Sequence, residues 1–254
     1  MAYEDSVSLR RNMSSRGIVP LVLMAALWVP VPAFSTLTDE RQQAPAPAAA
    51  APAAARPPAS SLTRPASPSK PTGADGFIQR WLLLEPVRVP GQLTEAAVRS
   101  AVEKDFPVTA PPLPKDGDSL KVGDSELKWH AVDTLNYNVN LYHFAYALNK
   151  PTTNVLFWTV TVVNAPREMN NVRLAIGSNA ASVWWVNGVE AAALYNDRQA
   201  VIDDAVSKRL TLKAGANVIR AAIVNAGGAT DFCARFLDEN DRPIKALTAT
   251  LTAR

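Results

Sequence analysis

From Gly76 onward apolar residues fall in short runs with two-residue alternation, broken about every ten residues by Gly, Pro, Asn or Asp. Val172, Leu174 and Ile176 alternate with Asn171, Arg173 and Ala175, the period of a half-buried strand. The run Val155–Val163 sets Leu156, Trp158, Val160 and Val162 on one face and Thr159 and Thr161 on the other. Further strands are predicted over Phe77–Leu84, Leu127–Val132, Leu141–Leu148, Ala181–Asn187, Leu210–Leu212, Asn217–Val224 and Asp231–Leu237. Turn signals separate them, among them Asn187-Gly188, Ala214-Gly215 and Gly227-Gly228. One segment reads as a helix: Thr94–Lys104, with Thr94 placed to cap it, Glu95 at its positive end and Pro107 beyond it. The pattern predicts an all-β fold, an antiparallel sandwich or jelly roll with one short early helix. Too few helices alternate with the strands for a parallel α/β fold.

The first 75 residues have a different texture. Arg10, Arg11 and Arg16 precede the apolar stretch Ile18–Val29. That is the length of the apolar region of an export signal and short for a bilayer span. Ala33 and Ser35 are spaced for cleavage before Thr36, and Val31 with Ala33 offers a second cut. Residues 1–35 are therefore expected to be a signal peptide, with Met13 an alternative start and an uncleaved membrane anchor the rival reading. Residues 36–75 contain the Pro/Ala run Ala44–Pro58, which has almost nothing to bury and whose prolines block helix and ladder alike. They are expected to form a disordered spacer, and residues 76–254 the β-sandwich domain, secreted or periplasmic.

Charge adds little to this picture. Of 26 basic and 23 acidic residues, seven and five precede Gly76, leaving 19 and 18 on the folded part. No basic field remains to attract nucleic acid. The single cysteine, Cys233, can make no internal disulfide and sits in an apolar run, so it reads as a small buried hydrophobe.

The succession of turns resembles the galactose-binding-like jelly-roll modules found beside or within secreted glycoside hydrolases and sugar esterases. Phe77–Leu84 looks like their entry strand, with Glu85 where a glycine is usual before Pro86. Asp116-Gly117-Asp118 followed by Leu127-Lys128-Trp129 is similar to their loop ending in a tryptophan strand. Leu174–Asn179 and then Val183–Gly188 resemble the pair of motifs that ends in Trp-Val-Asn-Gly, with Asn179 where Asp is commoner. Leu210–Arg220 is similar to the family's Gly-x-Asn hairpin, and Phe232–Asp238 to its last core strand. The resemblance covers residues 77 to about 247. It implies the jelly roll and, more weakly, a carbohydrate ligand, since one fold hosts many functions.

Catalytic machinery is not expected. His130 and His143 are the only histidines, and neither lies in a nucleophile elbow or a metal-binding spacing. Asp116 and Asp118 share a loop and are the oxygen ligands calcium takes, but two are too few to define a site. Asp203-Asp204 reads as a solvated turn. Binding chemistry rests on aromatics, whose faces suit the C–H faces of sugars. In Val183–Asn187 adjacent side chains point opposite ways, which puts Trp184 in the core and leaves Trp185 available. The candidate carbohydrate-binding residues are Trp129, Trp185, Asn187 and Tyr195. Asn187-Gly188 reads first as a tight turn, and a tryptophan in a sandwich strand reads first as packing. The expected function is a secreted, non-catalytic carbohydrate-binding module. The alternative is a structural or protein-interaction sandwich serving an envelope protein or secreted enzyme.

Overall fold

The computed structural model describes residues 61–105, 113–196 and 199–253. The expected signal peptide, and the spacer up to residue 60, lie outside the described residues. The chain opens with two short strands, β1 (Leu62–Thr63) and β2 (Lys70–Pro71), then β3 (Arg80–Leu84), β4 (Val87–Arg88) and helix α1 (Glu95–Asp105). A hairpin of β5 (Ser119–Val122) and β6 (Ser125–Thr134) leads to β7 (Val139–Asn140) and helix α2 (Leu141–Ala147). The long strands follow: β8 (Val155–Ala165), β9 (Met169–Ser178), β10 (Ala181–Val186) and β11 (Val189–Leu194). The last are β12 (Ala205–Val206), β13 (Leu210–Leu212), β14 (Gly215–Asn225), β15 (Asp231–Leu237) and β16 (Thr248–Thr250).

Among the described residues all strand pairings are antiparallel, and they make two sheets. The larger has the path β1-β6-β3-β8-β14-β10-β11, with β2, β4, β5 and β16 attached to its margins. The smaller runs β12-β9-β15-β7, with β13 also on β9. Between the sheets lies an apolar core containing Trp81, Phe157, Ile176, Trp184, Phe232 and Phe236. Phe232 meets Trp81 edge-on at 5.0 Å and Trp184 at 5.4 Å, so three rings from three strands form its centre. Both buried indole N–H groups are satisfied, Trp81 Nε1 on the Ile78 carbonyl and Trp184 Nε1 on Ser182 Oγ.

The larger sheet is buried on its other face too. Leu82 and Leu84, Leu156 and Trp158, Val183 and Trp185, and Ala222 and Val224 point away from the smaller sheet into a second apolar layer. Helix α1 covers it with Val98 and Val102, helped by Leu113, Leu120 and Val122. This is why Leu82–Leu84 and Ala181–Val186 are buried at every position rather than at alternate ones. It is also why Thr159 and Thr161 are wholly buried: their face is the one that carries Phe157 and Val163 between the sheets.

Two expectations are corrected. Leu141–Leu148 is a helix over Leu141–Ala147, not a strand, so the described residues hold two short helices. Its start is fixed by Asn140, whose Oδ1 accepts the His143 N–H at 2.7 Å, and local capping outweighs the β preference of the aromatic residues. The second correction concerns residues 61–75, assigned by composition to the spacer. β1 pairs with β6 and β2 with β16. Arg80, almost fully buried, makes a bidentate pair with Asp133 at 2.8 and 2.9 Å and donates to the Ser67 carbonyl at 2.8 Å. Lys70 lies 3.7 Å from the same Asp133. A proline-rich strap is thus tied down by a buried ion pair that local composition does not reveal.

Candidate functional site

The four sequence-selected residues do not come together as a platform. Trp185 is 8 % exposed and Trp129 7 % exposed. Both belong to the second apolar layer, where Trp185 stacks on Trp158 with ring centres 5.9 Å apart and planes 25° apart. Trp185 does face away from Trp184, as alternation requires, but the face it reaches is covered by α1 rather than open. Tyr195 is half-buried against the same layer, and the guanidinium of Arg99 on α1 lies 5.8 Å from its ring centre. Burial pushes the Tyr195 hydroxyl above its usual range, against the opposing pull of Arg99. Arg99 itself bridges Glu95 of the helix and Glu190 of β11, clamping the covering layer to the sheet.

Asn187 behaves differently. With Gly188 it forms the tight turn between β10 and β11, both residues having positive φ, 52° and 83°. Its amide is already used: Oδ1 accepts the Val218 N–H at 2.9 Å and Nδ2 donates to Asn217 Oδ1 at 2.9 Å. Asn217, wholly buried, also accepts the Lys213 N–H and donates to the Lys213 and Gly215 carbonyls. The two asparagines therefore lock the Val186–Val189 hairpin turn against the Lys213–Asn217 turn, which carries the chain from β13 of the smaller sheet to β14 of the larger.

Clefts open on both sides of this locked corner. One, of about 740 Å³, runs between the edge strand β11 and the Ser207–Lys213 segment of the smaller sheet, and Glu190, Ala192, Lys208 and Thr211 line it. The other, of about 660 Å³, lies over the outer face of the larger sheet and is lined by Leu113, Val218 and Leu251 together with Lys115, Lys213 and Arg220. Asn187 and Lys213 border both. Arg220 was not singled out in the sequence, yet a signal was there. It is the one charge in the apolar run Val218–Val224, and two-residue alternation puts it on the same face as Ala222 and Val224. In the register of the sheet it stands directly between Trp185 and Val160.

The remaining candidates have structural duties. Asp116 accepts the Ala131 N–H and pairs with Arg64, and Asp118 accepts the Lys115 N–H. Among the described residues no group of three His, Cys, Asp or Glu is placed to hold a metal. Asp203 pairs with Arg235, whose guanidinium lies 4.7 Å from the ring centre of Phe77. His130 Nε2 lies 3.2 Å from the buried carboxylate of Glu85, and the His130 ring meets Phe144 edge-on. Cys233 is buried as expected, and burial pushes its thiol up to about 12, which makes it a poor nucleophile. Among the described residues the exposed aromatics are tyrosines: Tyr137 is 43 % and Tyr146 52 % exposed, and Tyr146 lies parallel to Tyr142 on α2.

No protein-family profile matches this chain, and no curated protein does. Similar solved structures include the PA14 domain of the antifreeze protein MpAFP, at 11% identity and a TM-score of 0.41, covering 68% of this chain and 91% of that one. A PA14 sugar-binding domain from an RTX adhesin has 10% identity and a TM-score of 0.41, covering 66% of this chain and 94% of that one. The β-glucosidase of Kluyveromyces marxianus, in complex with glucose, has 13% identity and a TM-score of 0.33, covering 63% of this chain and 16% of that one. At such identities and TM-scores the site itself has to carry any functional argument.

Proposed function

We propose that this domain is a non-catalytic carbohydrate-binding β-sandwich of the galactose-binding-like jelly-roll kind, exported from the cytoplasm. The observation that carries the reading is the pair of clefts flanking the corner held by Asn187 and Asn217. Each is lined by apolar side chains together with amide, hydroxyl and ammonium groups. That combination suits a ligand whose faces are apolar and whose edges are hydroxylated. Asn187, which borders both clefts, is held by hydrogen bonds to Asn217 and to the Val218 N–H, which lowers the ordering cost of binding at that point. The order of motifs from Leu174 to Phe232 supports the jelly-roll assignment, and the Arg10–Ser35 segment supports export. The described residues contain no helix long and apolar enough to cross a membrane.

Affinity electrophoresis of the full chain through gels containing soluble polysaccharides tests the reading. Retardation by at least one polysaccharide is expected, lost when Thr252→Trp fills the second cleft and kept in Tyr146→Ala. Loss in Tyr146→Ala alone would move the site to the tyrosine pair on α2. Free migration through every gel, with co-purification of a protein partner instead, would replace sugar binding by the interaction reading.

A further inference from the structure

Resting on the sugar-binding reading, we propose a second saccharide site outside both clefts, on the outer side of the smaller sheet. There the ring of Tyr137 receives the apolar face of a neutral pyranose, and the Arg235–Asp203 pair receives two of its adjacent hydroxyls. Six large apolar side chains are exposed among the described residues, and four of them, Leu135, Tyr137, Val201 and Ile202, fall in two short segments. Both segments meet at Phe77 and Arg235. Ala234 and Phe236 point into the core between the sheets, so Arg235, placed between them on β15, points out.

The two segments are held in place before any ligand arrives. In the first, the Leu135 N–H donates to the Ser61 carbonyl at 3.1 Å and the Asn136 N–H to Thr134 Oγ1 at 3.2 Å. Gln79 Nε2 donates to the Asn136 carbonyl, and Thr134 Oγ1 to the Asn138 carbonyl, each at 2.8 Å. A loop tied this closely still leaves Leu135 69 % and Tyr137 43 % exposed. The Tyr137 ring leans on Phe77, with ring centres 5.4 Å apart and planes 50° apart, which fixes its orientation. In the second segment, residues 201–203 lie against β9 at Gly177, where an added Cβ would come 2.0 Å from the Val201 carbonyl oxygen. Only a glycine there lets the segment approach so closely. Asp203, with a φ of 57°, then turns its carboxylate onto Arg235, whose Nε donates to Oδ1 at 3.0 Å.

The chemistry of the pair selects the ligand. Of the five N–H groups of Arg235, two are engaged by Asp203 and one by the Asp75 carbonyl, which leaves two donors beside a carboxylate with free lone pairs. Both side chains remain partly open to solvent. A donor and an acceptor fixed side by side match two adjacent hydroxyls, each of which can give and take a hydrogen bond. The pair carries no net charge, so a charged sugar gains nothing over a neutral one. Phe77 touches Tyr137 and, at 4.7 Å, the Arg235 guanidinium, so a ligand of one or two sugar rings reaches both. The exposed tyrosine ring supplies the stacking surface that buried Trp129 and Trp185 do not.

The test is an NMR titration of the full chain carrying Thr252→Trp, so that the cleft over the larger sheet is filled. The probes are D-galactose, D-glucose and D-xylose at millimolar concentrations, with D-galacturonate as the charged comparison. The Arg235 Nε–H and the Tyr137 amide are expected to shift together and to saturate with at least one neutral sugar. Tyr137→Ala is expected to weaken that affinity about tenfold. Asp203→Asn, which tolerates the same positive φ, is expected to weaken it by a similar factor, with thermal melting confirming that each variant folds. Tighter binding of galacturonate than of galactose overturns the neutral assignment. Shifts confined to other residues, or an affinity unchanged in both variants, overturn the site. Absence of shifts with every sugar also overturns it, and retardation of the parent chain in polysaccharide gels would then leave the sugar-binding reading standing. Absence of both shifts and retardation overturns both.

Discussion

The most instructive single residue is Trp185. Alternation along β10 correctly turns it away from Trp184, but alternation says only which side a residue faces and not what lies there. The covering helix, with Val98 and Val102, converts the expected sugar platform into a second core. Glu85 makes the same point for charge. In sequence it is a departure from a turn glycine; in the fold it is a buried carboxylate between Lys150 at 2.9 Å and His130 at 3.2 Å. Burial works to raise its pKa, but the hydrogen bonds from Lys150 and His130 outweigh it and hold the group below its ordinary 4.5. A carboxyl depressed by folding contributes stability that is present above its unfolded value and lost as pH falls through its folded one. Melting curves of Glu85→Gln should therefore show a lower Tm than the parent at pH 7 and a shallower loss between about pH 5 and pH 3. Parallel curves for the two proteins across that range would mean that Glu85 is not charged in the fold.

At the scale of elements, period-2 alternation found the main strands to within a few residues. It failed where a second signal had to be weighed. Leu141–Ala147 carries Leu, Tyr, Phe and Tyr, which favour a strand, and yet it closes into two turns of helix behind the Asn140 cap. A helix this short has little intrinsic stability, so the cap and the burial of Leu141, Phe144 and Ala145 carry it. Asn140→Ala is expected to cost about 1 kcal/mol, read from denaturant unfolding, while Asn140→Asp should cost less because it keeps an acceptor for the His143 N–H. An unchanged midpoint for the alanine variant would show that packing alone holds α2. The strand β11 went unseen for a related reason. Its Ala191–Ala193 lacks the bulky branched residues that mark strands, and a register shift opposite Trp184 and Trp185 breaks its alternation.

For the whole molecule, the boundary of the domain is the main revision. The Pro/Ala composition that defines the spacer continues to the eye as far as Asp75, but the folded unit reaches back at least to Ser61. The strap over β1 and β2 is held through Arg80, Asp133 and Lys70, residues far apart in sequence. A chain beginning at Gly76 is expected to melt about 5–10 °C below one beginning at Ser61, from the loss of roughly 2–3 kcal/mol in hydrogen bonds and packing. Identical melting temperatures would return residues 61–75 to the spacer.

By itself the sequence determined the class of fold, the tight turn at Asn187-Gly188 and the burial of Cys233. Each of these follows from local chemistry: two-residue alternation, a left-handed turn that asparagine and glycine accept, and an apolar thiol without activating neighbours. Only the tertiary structure decided which faces are open. The larger sheet carries an apolar layer on each side, so Trp129 and Trp185 are packed away, and among the described residues open clefts lie beside a locked corner instead. Those clefts draw on Lys115, Asn187 and the Lys213–Arg220 segment, three separate stretches of chain. A pattern within one strand records the side a residue faces; what waits on that side is set by elements that pattern does not contain.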